Sequence, residues 1–288
     1  MASRLGVVLS ALALGALYAP VLGALAKVWW THPYAGHGLF VPGLSLLFLW
    51  IEWPRLRAAR GRGDGRGLLG VVAALGLLAL GGWLGSVIVQ GLSLVLAVGS
   101  FCLWTLGARW LRAAAFPIGF LVFMVPLPRA VVDAVTLPLQ IFAASFAARV
   151  LDLLEIPLYL DGLYIRLPGI TLEVAEVCNG LRFLAGLVVM TTAFAQLSQR
   201  TPARKAVLVI SAIPVAILAN ALRVAAVASG AYYIGPEAAS GTIHNWIGKS
   251  VWGLTLLPIG ILGVVLRRGT ARKPDGVERA MTEREGAR

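Results

Sequence analysis

A chain of 288 residues that is 59% hydrophobic and only 13% charged, with a mean hydropathy of +0.84, lies far outside soluble composition and reads as an integral membrane protein. Its formal charge of +12 does not mark a nucleic-acid binder, because Lys and Arg fall in short clusters between apolar spans rather than in a dedicated basic segment. Two cysteines separated by a long gap offer neither a metal-ligand spacing nor a disulfide framework, and no cofactor or metal is expected.

The first span, 5–26, has the charged start and small-residue end of a signal peptide, but its apolar run is long and the next span follows at once, so it is read as a retained helix. Further spans follow at 39–53, 68–89, 92–107, 113–127, 177–197, 206–229 and 246–266, each close to the length that a bilayer crossing demands. The segment 131–154 is nearly as apolar but carries Asp133, Gln140, Arg149 and Asp152, and is expected as an amphipathic helix at the outer interface. After it, an extended or hairpin stretch around 159–172 is marked by the turn signal Asp161-Gly162. The expected fold class is therefore an all-α polytopic membrane protein: about eight transmembrane helices, one interfacial helix and a short extended periplasmic segment. It forms one membrane domain over 1–266, with a charged tail over 267–288.

Arg55, Arg57, Arg60, Arg62 and Arg66 fill one loop, Arg109 and Arg112 mark a second, and Arg200, Arg204 and Lys205 a third. Arg267, Arg268, Arg272 and Lys273 begin the tail. Positive residues collect on the cytoplasmic side, which puts both termini inside and the loops 27–38, 128–176 and 231–245 outside. A crossing by 131–154 would flip every later loop and is rejected on that ground.

This topology brings Cys178, Arg223 and His244 to the outer ends of three successive spans. Ionisable groups are costly in a bilayer, so their convergence marks a functional site. Each alone has a plainer reading: Cys178 as packing, like Cys102; His244 as a loop residue; Arg223 as a side chain snorkelling to the interface. Together they are a minimal set for acyl transfer. Cys178 is placed to attack a peptide carbonyl, Arg223 to donate to the developing oxyanion, and His244 to carry the proton to the leaving amine. The helix start, Arg182 one turn on, Arg223 and His244 would all favour the thiolate, whereas an apolar setting opposes it by desolvation. Asn220, three residues before Arg223, is placed to orient the guanidinium, while Glu176 and Asn179 flank the nucleophile and stand ready to orient a partner or the substrate backbone.

The run Val174-Ala175-Glu176-Val177-Cys178-Asn179-Gly180-Leu181-Arg182 resembles the nucleophile motif of the exosortase and archaeosortase family. Ala219-Asn220-Ala221-Leu222-Arg223, and His244 followed by Gly248, are similar to its other two signatures in the same order. His37-Gly38-Leu39-Phe40-Val41-Pro42 and Val125-Pro126-Leu127-Pro128 extend the likeness over nearly the whole chain. The resemblance implies a polytopic inner-membrane cysteine peptidase or transpeptidase, often linked to exopolysaccharide systems, with Cys178, Arg223 and His244 as its catalytic residues. Its partners would be membrane lipids and proteins bearing a C-terminal signal of the Pro-Glu-Pro type, a membrane helix and a basic tail. Asn179 departs from the small residue expected after the cysteine, which points to a subtype with a different recognition motif. Two other classes stay open on the residues alone. One is a transporter or flippase for an anionic or lipid-linked substrate, and the other a membrane acyltransferase using His244; both would be indifferent to the thiol.

Overall fold

The computed structural model describes residues 4–174 and 180–268, and the chain divides into two compact units, 1–138 and 139–288. Its described residues are overwhelmingly helical. Seven helices are long and apolar enough to cross a membrane. These are α1 (Arg4–Thr31), α4 (Arg66–Trp83), α5 (Val87–Leu106), α8 (Arg129–Leu153), α9 (Leu181–Ser198), α10 (Pro202–Tyr233) and α11 (Gly241–Arg268). Pro20, Pro138, Pro214 and Pro258 lie inside helices, which membrane helices tolerate because neighbouring groups satisfy the freed carbonyls.

Two of the eight expected spans are shorter than their hydropathy implied. The span at 39–53 becomes α2 (Val41–Ile51), which at 11 residues extends about 16 Å, well short of a roughly 30 Å hydrocarbon core. It breaks at Glu52, and the separate turn α3 (Trp53–Ala58) follows, with Pro54 at its start. The span at 113–127 becomes α7 (Ala115–Phe120) and a 3-10 turn over Leu121–Met124, preceded by the short α6 (Ala108–Ala113) in the loop expected at Arg109 and Arg112, and the prolines at 126 and 128 prevent continuation. The two short helices pair with each other. Phe48 of α2 meets Phe116 and Phe120 edge-on at 5.0 and 5.5 Å, and Ser45 Oγ donates to the carbonyl of Pro117 at 2.7 Å.

Elsewhere in the first unit, α4 and α5 approach closely through small residues. A Cβ on Gly67 or Gly70 would collide with Trp104 or Ser100. Helices in lipid associate by such close packing, since the apolar effect does not distinguish a neighbour from a lipid tail. The His37-Gly38 motif has a packing reason too: a side chain at position 38 would strike the ring of Trp29, whose Nε1 donates to the carbonyl of Met124 at 2.7 Å. His37 itself is held below the ordinary imidazole pKa by burial, partly offset by the backbone of Phe123.

The segment expected as an interfacial helix is α8, continuous over 25 residues and among the seven long enough to cross. Its Gln140, Ala143, Ala144, Ala147 and Leu151 form a buried stripe; Arg149 and Asp152 are exposed off that stripe, and Asp133, two turns before Gln140 and in line with it, is exposed as well. The expected extended stretch is a three-stranded antiparallel sheet of β1 (Tyr159–Asp161), β2 (Tyr164–Leu167) and β3 (Ile170–Glu173), in the order β1-β2-β3. Both hairpin loops have two residues, Gly162-Leu163 and Pro168-Gly169, with Gly162 and Gly169 at φ of +59° and +80°. One face of this sheet is buried. Ile165, Leu167 and Val174 pack on the alanine stripe of α8 and on Ala221, Val224, Ala225 and Ala228 of α10, while Tyr164, Arg166, Thr171 and Glu173 face outward.

Helices α9, α10 and α11 form the other core of the second unit, around Leu187, Leu208, Ala212, Ala216 and Ile259. Gln199, at the turn between α9 and α10, donates through Nε2 to the carbonyl of Gly263 on α11 at 2.9 Å.

Candidate active site

All described groups of the site belong to the second unit. Asn220 and Arg223 are one turn apart on the same face of α10, and His244 and Gly248 stand four residues apart on one face of α11. The two helices bring Arg223 Nη2 to 2.8 Å from His244 Nε2. A guanidinium only donates, so His244 Nε2 accepts, and the resting imidazole is neutral with its proton on Nδ1. The face of Phe183, on α9, lies 5.6 Å from Arg223 Cζ and adds a cation–π contact.

Neither Arg223 Nε nor His244 Nδ1, both buried, has a hydrogen-bond partner among the described residues. Buried polar atoms are normally paired, and orphans of this kind concentrate where a further group belongs. Beside them opens a cavity of about 320 Å³ walled by Thr171, Leu172, Glu173 and Val174 of the sheet and by Arg223 and His244.

Two glycines make the geometry possible. Gly248 faces the guanidinium so closely that an added Cβ would sit 3.3 Å from Arg223 Nε. Larger helical side chains lean toward the preceding turn, here toward His244. Gly248→Leu is therefore expected to displace the guanidinium and lower turnover about 100-fold while the protein still folds. The check is the processing rate of a substrate beside the monodispersity of the purified variant. Gly180 has φ +82°, and a Cβ there would lie 3.0 Å from the side chain of Asn220. Gly180→Ala costs about 1–2 kcal/mol for the left-handed backbone and presses on Asn220 as well. A lower melting temperature together with reduced turnover is the expected readout.

Of the residues singled out from sequence, Arg223 and His244 come together, and Asn220 lies one turn from Arg223 on α10, against Gly180. Cys178, Glu176 and Asn179 lie outside the described residues. Arg182 sits exposed in the first turn of α9. Its expected position one helical turn from Cys178, on a shared face, does not follow, because α9 begins at Leu181 and Gly180 leaves the helical path. Phe183 and the tight fit of Gly180 were not anticipated. The Asn179-Gly180 pair is itself a turn signal that could have moved the helix start.

A family profile described as Transmembrane exosortase (Exosortase_EpsH) matches residues 29–261, most of the chain. No curated protein and no solved structure matches it. The matched stretch contains all three ordered motifs and the paired Arg223 and His244, and the chain belongs to the transmembrane exosortase family of membrane-embedded sorting enzymes.

Proposed function

We propose that this protein is a cysteine transpeptidase or protease that cleaves C-terminal sorting signals of exported proteins through a thioester on Cys178. The observation that carries the reading is the Arg223–His244 pair with its two orphaned nitrogens beside a cavity. The ends of the segment carrying Cys178 support it: Val174 walls that cavity, and Gly180 packs on Asn220, one turn from Arg223. Cys178 is two residues from Gly180, and two residues of chain span at most about 7 Å.

The resting hydrogen bond gives the pair a sequence of action. His244 takes the thiol proton at Nε2, the imidazolium then has no lone pair there, and the contact with Arg223 ends. The freed guanidinium N–H groups turn to the oxyanion that forms as sulfur bonds to the substrate carbonyl. The C–N bond breaks, the imidazolium gives its proton to the leaving amine of the anchor segment, and the amino-terminal product remains as the thioester. Water or an amine then attacks the thioester, its proton returns to His244, and the thiol is restored.

The clusters of Arg and Lys support an inner-membrane protein with both termini cytoplasmic and the site on the periplasmic side. There the substrate's anchor helix would lie in the membrane beside α9 to α11, its basic end cytoplasmic. Co-expression with a reporter bearing a Pro-Glu-Pro-type motif, a membrane helix and a basic tail tests the function. The reporter is expected to lose its C-terminal segment, and the mass of its new terminus separates hydrolysis from transfer. A reporter that keeps its full mass across a panel of such motifs would overturn the reading.

A further inference from the structure

The cavity beside Arg223 and His244 is walled by four consecutive residues of the sheet, Thr171 to Val174. Successive residues of a strand point to opposite faces, so a space that touches all of them meets the strand along its edge as well as its buried face. That edge is open. β3 is an outer strand, and no described residue pairs with its outer side.

The register identifies which groups the edge presents. Val174 N–H donates to the carbonyl of Leu163 at 2.9 Å, and the pair Leu167–Ile170 closes a two-residue hairpin. Hydrogen-bonded and non-bonded pairs alternate in an antiparallel ladder, so Ile170 and Leu172 spend their backbone groups on β2, as Val174 does its N–H, while the Val174 carbonyl accepts from Gln140 Nε2 of α8 at 2.8 Å. The N–H and C=O of Thr171 and Glu173 point the other way, about 7 Å apart along the strand. Exposed edges are ordinarily guarded by Lys, Pro, a bulge, a charge or shortness; Ile170–Glu173 has no Lys, Pro or bulge, and only its four-residue length and Glu173 guard it.

We propose that the extended segment of the sorting-signal substrate adds to β3 as a fourth strand, its backbone bonded to Thr171 and Glu173, so that the strand delivers the scissile carbonyl to Arg223 and His244. This assignment rests on the peptide-cleaving reading above. Strand addition takes affinity from main-chain hydrogen bonds and leaves specificity to pockets for alternate side chains. It also fits a Pro-x-Pro segment. Two prolines spaced by one residue lack N–H groups on the same edge only, and that edge can face away from β3 while the intervening residue's N–H faces it.

The test measures binding apart from turnover. The full-length protein carrying Cys178→Ser is purified in lipid nanodiscs and titrated with fluorescent peptides containing a Pro-Glu-Pro motif, each N-methylated at one backbone position. N-methylation at the motif's Glu and at every second position from it is expected to raise Kd about tenfold, and at the intervening non-proline positions to change it little. Thr171→Pro, which removes an outward N–H and spares the β2 ladder, is expected to weaken the parent peptide to a similar degree, whereas Thr171→Ala, which keeps that N–H, is expected to weaken it far less. Uniform tolerance of N-methylation, or no binding of any peptide, overturns the proposal. The peptide series needs no change to the strand, so it decides even if Thr171→Pro fails to fold. Alternation without cleavage by the wild-type protein would leave the strand site standing and remove the enzymatic reading. Cleavage without alternation would do the reverse.

Discussion

Replacing Cys178 with Ala is expected to leave a sorting-signal reporter at its full mass. The proposed route needs sulfur at one point, where a soft, polarisable nucleophile attacks an amide carbonyl and later departs from a thioester. Cys178→Ser is expected to fail as well, because a serine hydroxyl is far less acidic than a thiol and the Arg223–His244 pair offers no described partner to the free Nδ1 that would turn His244 into a strong base. Residues that act as one unit are not additive in their loss, so adding Arg223→Lys to Cys178→Ala should cost nothing further. Unchanged processing by Cys178→Ala would remove the nucleophile and bring forward a reading indifferent to the thiol, such as transport of an anionic or lipid-linked substrate.

Arg223→Lys is expected to slow processing about 100- to 1,000-fold at unchanged abundance, the usual loss when one oxyanion donor is withdrawn. Charge alone does not reproduce what this side chain does. Its planar fork touches His244 Nε2 at 2.8 Å, lies over Phe183 and fits the notch left by Gly248, and it still has Nε to offer. A lysine ammonium is a compact point charge without that fork. Initial rates of reporter conversion, normalised to enzyme level, measure the effect. A lysine variant near the wild-type rate would show that positive charge is the whole contribution and that guanidinium geometry is not used.

Hydropathy was enough to recover the polytopic helical class, and topology was enough to bring Arg223 and His244 to one end of neighbouring helices. The reason is physical: span length and ionisable residues in apolar runs are both sharply constrained by the bilayer. Helix ends and partners were less legible. In lipid an outward-facing residue is as apolar as a core residue, so periodicity does not reveal which faces pack, and the pairing of α2 with α7 through Phe48 and Ser45 left no mark in the pattern. The break at Glu52 and the fragments before Pro126 depend on local backbone chemistry that a hydropathy window averages away. Gln199, which no hydropathy pattern singles out, fastens the α9–α10 turn to α11. At the site, Gly180 mattered most. Its left-handed backbone starts α9 at Leu181, which removes the helical-face argument for Arg182 and puts Phe183 under Arg223 instead. In the same way, the motif glycine four residues after His244 gains a physical reason: it is the space in which the guanidinium lies.

The central claim is a thioester on Cys178, and the most direct measurement is the intact mass of the enzyme after acid quenching during reporter processing. The account predicts a population heavier by the reporter's amino-terminal product, mapped to the peptide that contains Cys178 and released by neutral hydroxylamine. A reporter that is processed while no hydroxylamine-labile adduct forms, or whose adduct maps to another residue, would contradict it.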